Sequence, residues 1–141
     1  MAAPTYKALR QALYTRLDAQ LSVPVWSPKA PQNAQGESLS PFPYVAIVQA
    51  AESAWNTNQA RGGEFVVQID GYARATAAAS AEDAILTLWA STREALEWYS
   101  LTVTGAIWVD TKLDLVNTGW DDGGDTRRFV SQWRITLDES A

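Results

Sequence analysis

The segment from Gly62 to Tyr99 constrains the fold most, because the period of its apolar residues changes within it. In Glu64 to Tyr72, Phe65, Val67, Ile69 and Gly71 share one face of an extended chain, and Val66, Gln68, Asp70 and Tyr72 share the other. Thr76 to Ser80 then supplies small residues and cap formers. After it, Ala81, Ala84, Ile85, Leu88, Trp89, Thr92, Leu96 and Tyr99 recur at helical spacing. Glu82 and Asp83 fall in the first turn, where the helix dipole favours negative charge. A striped helix needs a surface to cover, and the strand before it belongs to a sheet that supplies one. The expected centre of the fold is a helix over about 77–99 lying on a sheet that contains 64–72.

The rest of the chain extends that plan. Residues 4–21 read as a first amphipathic helix, with Tyr6, Leu9, Leu13 and Leu17 on one face and Pro4 suited to its first turn. Lys7, Arg10 and Arg16 make it a basic element, read as a solvated outer face or as a docking face for an acidic neighbour. Residues 22–43 form a loop that holds Pro24, Pro28, Pro31, Pro41 and Pro43. Proline fixes φ and donates no hydrogen bond, so regular structure is not expected there beyond one short strand around Val23, Val25 and Trp26. This loop is either a partner contact or a connector, and Trp26 is a candidate to pin it to the core.

A first hairpin is expected over about 44–74. Tyr44 to Gln49 is apolar enough for a strand buried on both faces, and Asn56 to Gly63 reads as the hairpin tip. Leu101 to Thr104 reads as a short strand or extended link ending at Gly105. A second hairpin follows over about 106–138. Its arms are Ile107 to Val116 and Phe129 to Asp138, with alternating residues, and they flank Thr118 to Asp125. The predicted class is α+β: one domain, with a mostly antiparallel sheet of about four or five strands packed by two amphipathic helices.

Composition limits the chemistry. With no Cys and no His among 141 residues, thiolate chemistry, disulfides, the commonest metal ligand and the commonest general base are all missing. A net charge of -5 argues against a groove for duplex nucleic acid, which needs a basic footprint. No apolar run approaches the ~20 residues that span a bilayer, and Met1 to Lys7 lacks a signal-peptide apolar region, so synthesis and retention in a cytoplasm are expected.

The acidic run Trp120-Asp121-Asp122-Gly123-Gly124-Asp125 lacks the ligand spacing of a calcium loop and reads as a hairpin tip. Arg61-Gly62-Gly63 is too short for a phosphate cradle. Arg127 and Arg128 are expected to balance nearby aspartates or to form an intersubunit ion pair. No residue stands out as catalytic, metal-binding or cofactor-binding, and no cofactor is expected. An enzyme or nucleotide-binding domain remains a remote alternative without residues to name.

Taken in order, several segments resemble the tail terminator family of long-tailed phages and gene transfer particles, which completes tails and joins them to heads. They are the helix Tyr6–Leu17, the Pro-rich loop ending in Phe42-Pro43-Tyr44-Val45, and Trp55 before a polar tip. Next come Glu64 to Asp70, the Ala-rich helix 77–98 and the last strand Phe129–Leu137. The similarity covers nearly the whole chain and rests on order and spacing. It implies a structural virion protein, assembled in the host cytoplasm and placed at the tail–neck junction. Copies would form a hexameric ring that caps the tail tube, ends addition of the tube protein and meets the head completion or stopper protein. No membrane and no sequence-specific nucleic acid is implied. The alternative within the same class is another neck or tail accessory protein, a stopper or adaptor. For interface residues, Trp55 and Arg61 are selected on the first tip, and Trp120, Asp121, Asp122 and Asp125 on the second. Both tips carry a Trp that no strand alternation accounts for, which either meets a partner or folds back onto its own subunit.

Overall fold

A computed structural model describes residues 6–35, 38–56, 61–97, 99–120 and 126–139, with 49–56, 61, 120 and 139 as backbone. The elements are α1 (Tyr6–Gln20), β1 (Val25–Trp26), β2 (Tyr44–Asn56), β3 (Arg61–Arg74), α2 (Ala81–Leu96), β4 (Ala106–Trp120) and β5 (Thr126–Glu139). They form one five-stranded sheet in the order β1-β2-β3-β5-β4. All neighbours are antiparallel except β1, which pairs parallel to β2 through Val25 and Trp26. The α+β class and the mostly antiparallel sheet are as the sequence pattern requires.

Alternation along the strands decides which side of the sheet is covered. Phe65, Val67, Ile69 and Ala73 of β3 and Phe129, Trp133, Ile135 and Leu137 of β5 are fully buried. The ladder sets Phe65 opposite Ile135, and Val67 opposite Trp133, so these residues share one face. Val45 and Ile47 extend that face onto β2. Both helices lie on it. α2 presents Ile85, Leu88, Thr92, Ala95 and Leu96, and packs on β3 and β5. α1 contributes Leu9, Leu13 and Leu17, one per turn and each fully buried, against α2, β1 and β2. Burying each leucine stabilises the fold by ~1.5–3 kcal/mol.

Three polar side chains inside this core, those of Trp133, Ser131 and Thr92, are hydrogen-bonded. Trp133 Nε1 donates to Ser131 Oγ at 3.0 Å, and that hydroxyl donates to the Ile69 carbonyl at 2.8 Å. Thr92 Oγ1 donates to the Leu88 carbonyl at 2.8 Å. Phe129 has room only because residue 71 is glycine: a Cβ there would stand 1.9 Å from the Phe129 ring. Trp89 closes the layer, with its ring 5.2 Å from Phe129 and 6.0 Å from Trp133.

Several boundaries differ from the sequence-based expectation. α2 starts at Ala81 rather than 77, because Thr76 Oγ1 accepts from the amides of Ala78 and Ala79 and Ser80 Oγ then caps the Asp83 amide at 3.1 Å. The helix ends at Leu96 rather than 99, since Glu97 is already extended. Arg16 of α1 does more than face solvent: its Nε donates to the Ala95 carbonyl at 2.8 Å, and its guanidinium lies 3.4 Å from the centre of the Tyr99 ring. It thus satisfies one of the last-turn carbonyls that a helix leaves unpaired. β2 runs to Asn56, well past Gln49, because β3 supplies a partner for every added residue. Pro4 lies outside the described residues. Residues 101–103 form an extended link, which reaches β4 through Gly105 at φ 77°, a conformation that glycine adopts without strain.

The Pro-rich loop is organised by its own contacts. Trp26 Nε1 donates to Ser40 Oγ at 2.7 Å, and Ser40 is buried. The Leu39 amide donates to the Pro31 carbonyl at 2.7 Å, and Gln32 bridges Ser38. Trp26 therefore ties the start of the loop to its end, rather than to the core as expected.

Candidate functional site

The opposite side of the sheet carries no helix among the described residues. Its residues from β3 are Glu64, Val66, Gln68, Asp70, Tyr72 and Arg74, the partners in alternation of the buried set. Asp70 lies at its centre and is 1% exposed, although no second layer covers it. Its neighbours provide the cover. Arg128 Nη2 donates to Asp70 Oδ2 at 2.8 Å, Gln68 Nε2 donates to Oδ1 at 3.1 Å, and Tyr72 Oη lies 3.5 Å from Oδ2. Register explains the pairing. Tyr72 stands opposite Arg128 and Asp70 opposite Val130, so Arg128 reaches Asp70 along the diagonal of the ladder.

Aromatic rings continue from that ion pair toward one end of the sheet. The Arg128 guanidinium lies 5.7 Å from the Tyr72 ring centre. Tyr72 stacks on Tyr44 at 4.8 Å, Tyr44 meets Phe42 at 5.1 Å, and Arg74 lies 4.1 Å over Phe42. Arg74 Nε also donates to Thr126 Oγ1 at 3.0 Å. Cations held over ring faces are attracted to the ring quadrupole. Farther along the same side, Arg134 joins Glu64 at 2.5 Å and Asp114 at 3.0 Å. The hydrogen bond to Asp114, then that to Glu64, hold the Arg134 guanidinium more firmly protonated than usual. This side of the sheet is a polar plate, internally paired, with an aromatic end.

The residues selected from the sequence fall at two ends of this plate. Trp55 pairs with Gly62 and Asn56 with Arg61, where β2 passes into β3. Trp120 pairs with Arg127, where β4 approaches β5. These three lie within the paired strand ends and not in the turns, because the ladders run longer than the alternation alone predicts. Asp121, Asp122 and Asp125 lie outside the described residues. The ladder β2-β3-β5-β4 puts Trp55 level with Ile107, and Trp120 level with Arg127 and Ala73 at the far end. Trp120 is not brought near Trp55 and Arg61: at ~3.3 Å per residue, Arg61 to Ala73 spans ~40 Å.

Arg127 and Arg128, adjacent in sequence, are sent to opposite sides by the strand. Arg127 Nη2 lies 3.8 Å from Glu82 of α2, while Arg128 serves Asp70. No motif marks the Asp70–Arg128 pair; its only sequence trace is an Asp on the polar face of an alternating strand. On the helix side, an open groove of about 650 Å3 runs between α1 and the 99–104 link, bordered by Lys7, Arg10, Arg16 and Tyr99. Burial pushes the Tyr6 hydroxyl pKa up on this helix, and the Arg10 charge partly offsets it.

No protein-family model and no curated protein sequence matches this chain. Among solved structures, a chain from the virion of a native gene transfer agent particle superposes with a TM-score of 0.73 at 17% identity, over 94% of this chain and 96% of the other. The helices, the sheet and their order are thus those of a protein found in a gene transfer agent virion.

Proposed function

We propose that this chain is a structural virion protein of a phage or gene transfer particle, and that it acts as a tail terminator. In this reading several copies form a ring, hexameric in the family that the sequence resembles. The ring caps the finished tail tube, ends addition of tube protein and joins the tail to the head completion or stopper protein at the neck. The observation that carries the reading is the fold likeness to a chain of a gene transfer agent virion over nearly the full length of both. The placement of the two hairpin ends supports it. A joining ring must present different surfaces to the tube and to the neck, and this sheet delivers Trp55 with Arg61 to one end and Trp120 to the other. Heterologous contacts between such subunits close into a ring when their rotation closes. The work is mechanical and asks nothing of His or Cys.

The test is particle production without this chain. Tails of excess and variable length, restored to uniform length by supplying the wild-type chain, are the expected result. Tails of normal length that fail to join heads would assign the chain to a stopper or adaptor role. Its absence from purified particles would overturn the structural reading.

A further inference from the structure

Both outer edges of the sheet are open, and they match each other. β4 is the last strand on one side, with no outer strand among the described residues. On the other side β1 pairs only with Val45 and Ala46, so β2 continues past it from Ile47 to Asn56 with no outer strand among the described residues. The ladders carry level across the sheet. Ile47 lies opposite Ile69, Ile69 opposite Ser131, and Ser131 opposite Val116. By the same route Trp55 is level with Ile107. The stretch of β2 that β1 leaves open is therefore level with residues 107–116 of β4. That stretch of β4 holds Ile107, Val109 and Leu115, 49%, 42% and 47% exposed, half of the large apolar side chains exposed among the described residues.

We infer that β4 of one copy pairs antiparallel with the open stretch of β2 of the next copy, so that the sheet runs on across the subunit boundary. Direction fits. Successive antiparallel neighbours make β2 and β4 run opposite ways, so a copy related by rotation about a ring axis brings its β2 antiparallel to β4. Neither 47–56 nor 106–120 contains the proline that commonly guards an edge. Charge favours the head-to-tail arrangement over self-pairing. Two β4 strands paired antiparallel about Lys112 would set Lys112 against Lys112 and Asp110 against Asp114, and like charges directly opposite are destabilising. The open stretch of β2 carries the single charge Glu52, which comes level with the neutral Thr111, so no like charges stand directly opposite. Contacts of this kind are heterologous, as a closed ring of more than two copies requires. The inference rests on the ring reading above and names its seam.

The chain contains no Cys, so introduced thiols report without background. The experiment combines Ser53→Cys on β2 with Ile107→Cys, Val109→Cys, Asp110→Cys or Leu115→Cys on β4, in the full chain and in the presence of tail tubes. Mild oxidation should convert at least one of these double variants into a ladder of covalent multimers, while each single variant stays uncrosslinked. In parallel, Val109→Lys with Leu115→Lys should raise the concentration for half-assembly ~10-fold or more, with Tm unchanged because both side chains are exposed in the subunit. Rings that form without any such crosslink, a β4 single variant that crosslinks to itself, or unchanged assembly of the lysine variant would overturn the seam and leave the ring standing. A chain that forms no oligomer, alone or on tubes, would overturn both.

Discussion

The two sides of the sheet are built from the same strands, one residue out of step, and they are stabilised differently. Under the helices, Phe65, Val67, Ile69, Phe129, Trp133 and Ile135 are excluded from water by packing. On the bare side, Asp70 is just as hidden, but by an arginine, a glutamine and a tyrosine that it binds. The first side answers to area and volume, and the second to geometry and charge. A one-residue slip of register would exchange the two, so the ladder is fixed by both at once. The covered side makes the subunit stable, and the bare side is free to be shaped by what it must face.

Three substitutions bear on this contrast. Trp133→Ala removes the largest fully buried side chain and strips Ser131 of its indole donor, so a loss of ~3–5 kcal/mol is expected in urea unfolding. A loss below ~1 kcal/mol would mean that the covered layer does not anchor the fold. Arg128→Ala leaves the buried Asp70 carboxylate with neutral partners only; unfolding should show a loss of ~1–2 kcal/mol, moderated because the arginine side chain is 37% exposed. An unchanged midpoint would show that the bare side contributes no stability through this pair. Arg134→Ala breaks two solvent-exposed ion pairs, with Glu64 and Asp114, and should leave Tm close to wild type, with the remaining difference vanishing at high salt. A large, salt-insensitive drop would erase the distinction between a buried and an exposed pair on one surface.

What was legible in the chain follows the same division. Packing leaves a periodic trace, so β3, β4, β5, both helices and the buried stripe could be placed from spacing. The stretch Ala50 to Asn56 has small and polar residues with weak strand preference; its extended state is imposed by β3 across the ladder, and such non-local causes leave no local sign. The start of α2 turned on Thr76 and Ser80, both able to cap a helix; Thr76 instead binds the amides of Ala78 and Ala79 in a turn, and Ser80 takes the cap on Asp83, a choice that only geometry makes. Of the candidate interface residues, the sequence identified two ends but not their separation, because that depends on strand order. Asp70 and Arg128 are 58 residues apart and meet through register, which alternation alone does not supply.

Strand order also has a consequence for how the protein comes into being. β5 is the last strand in the chain, yet it sits between β3 and β4 and joins one hairpin to the other. As the chain leaves the ribosome, β1, β2 and β3 can meet in sequence, while β4 emerges before β5, the strand it pairs with. Only when residues 126–139 arrive do Phe129, Trp133, Ile135 and Leu137 slide beneath α2 and draw β4 into line. Until that moment Ile107, Val109 and Leu115 belong to a strand without a home. The edge inferred above to be the seam therefore waits on residues 126–139.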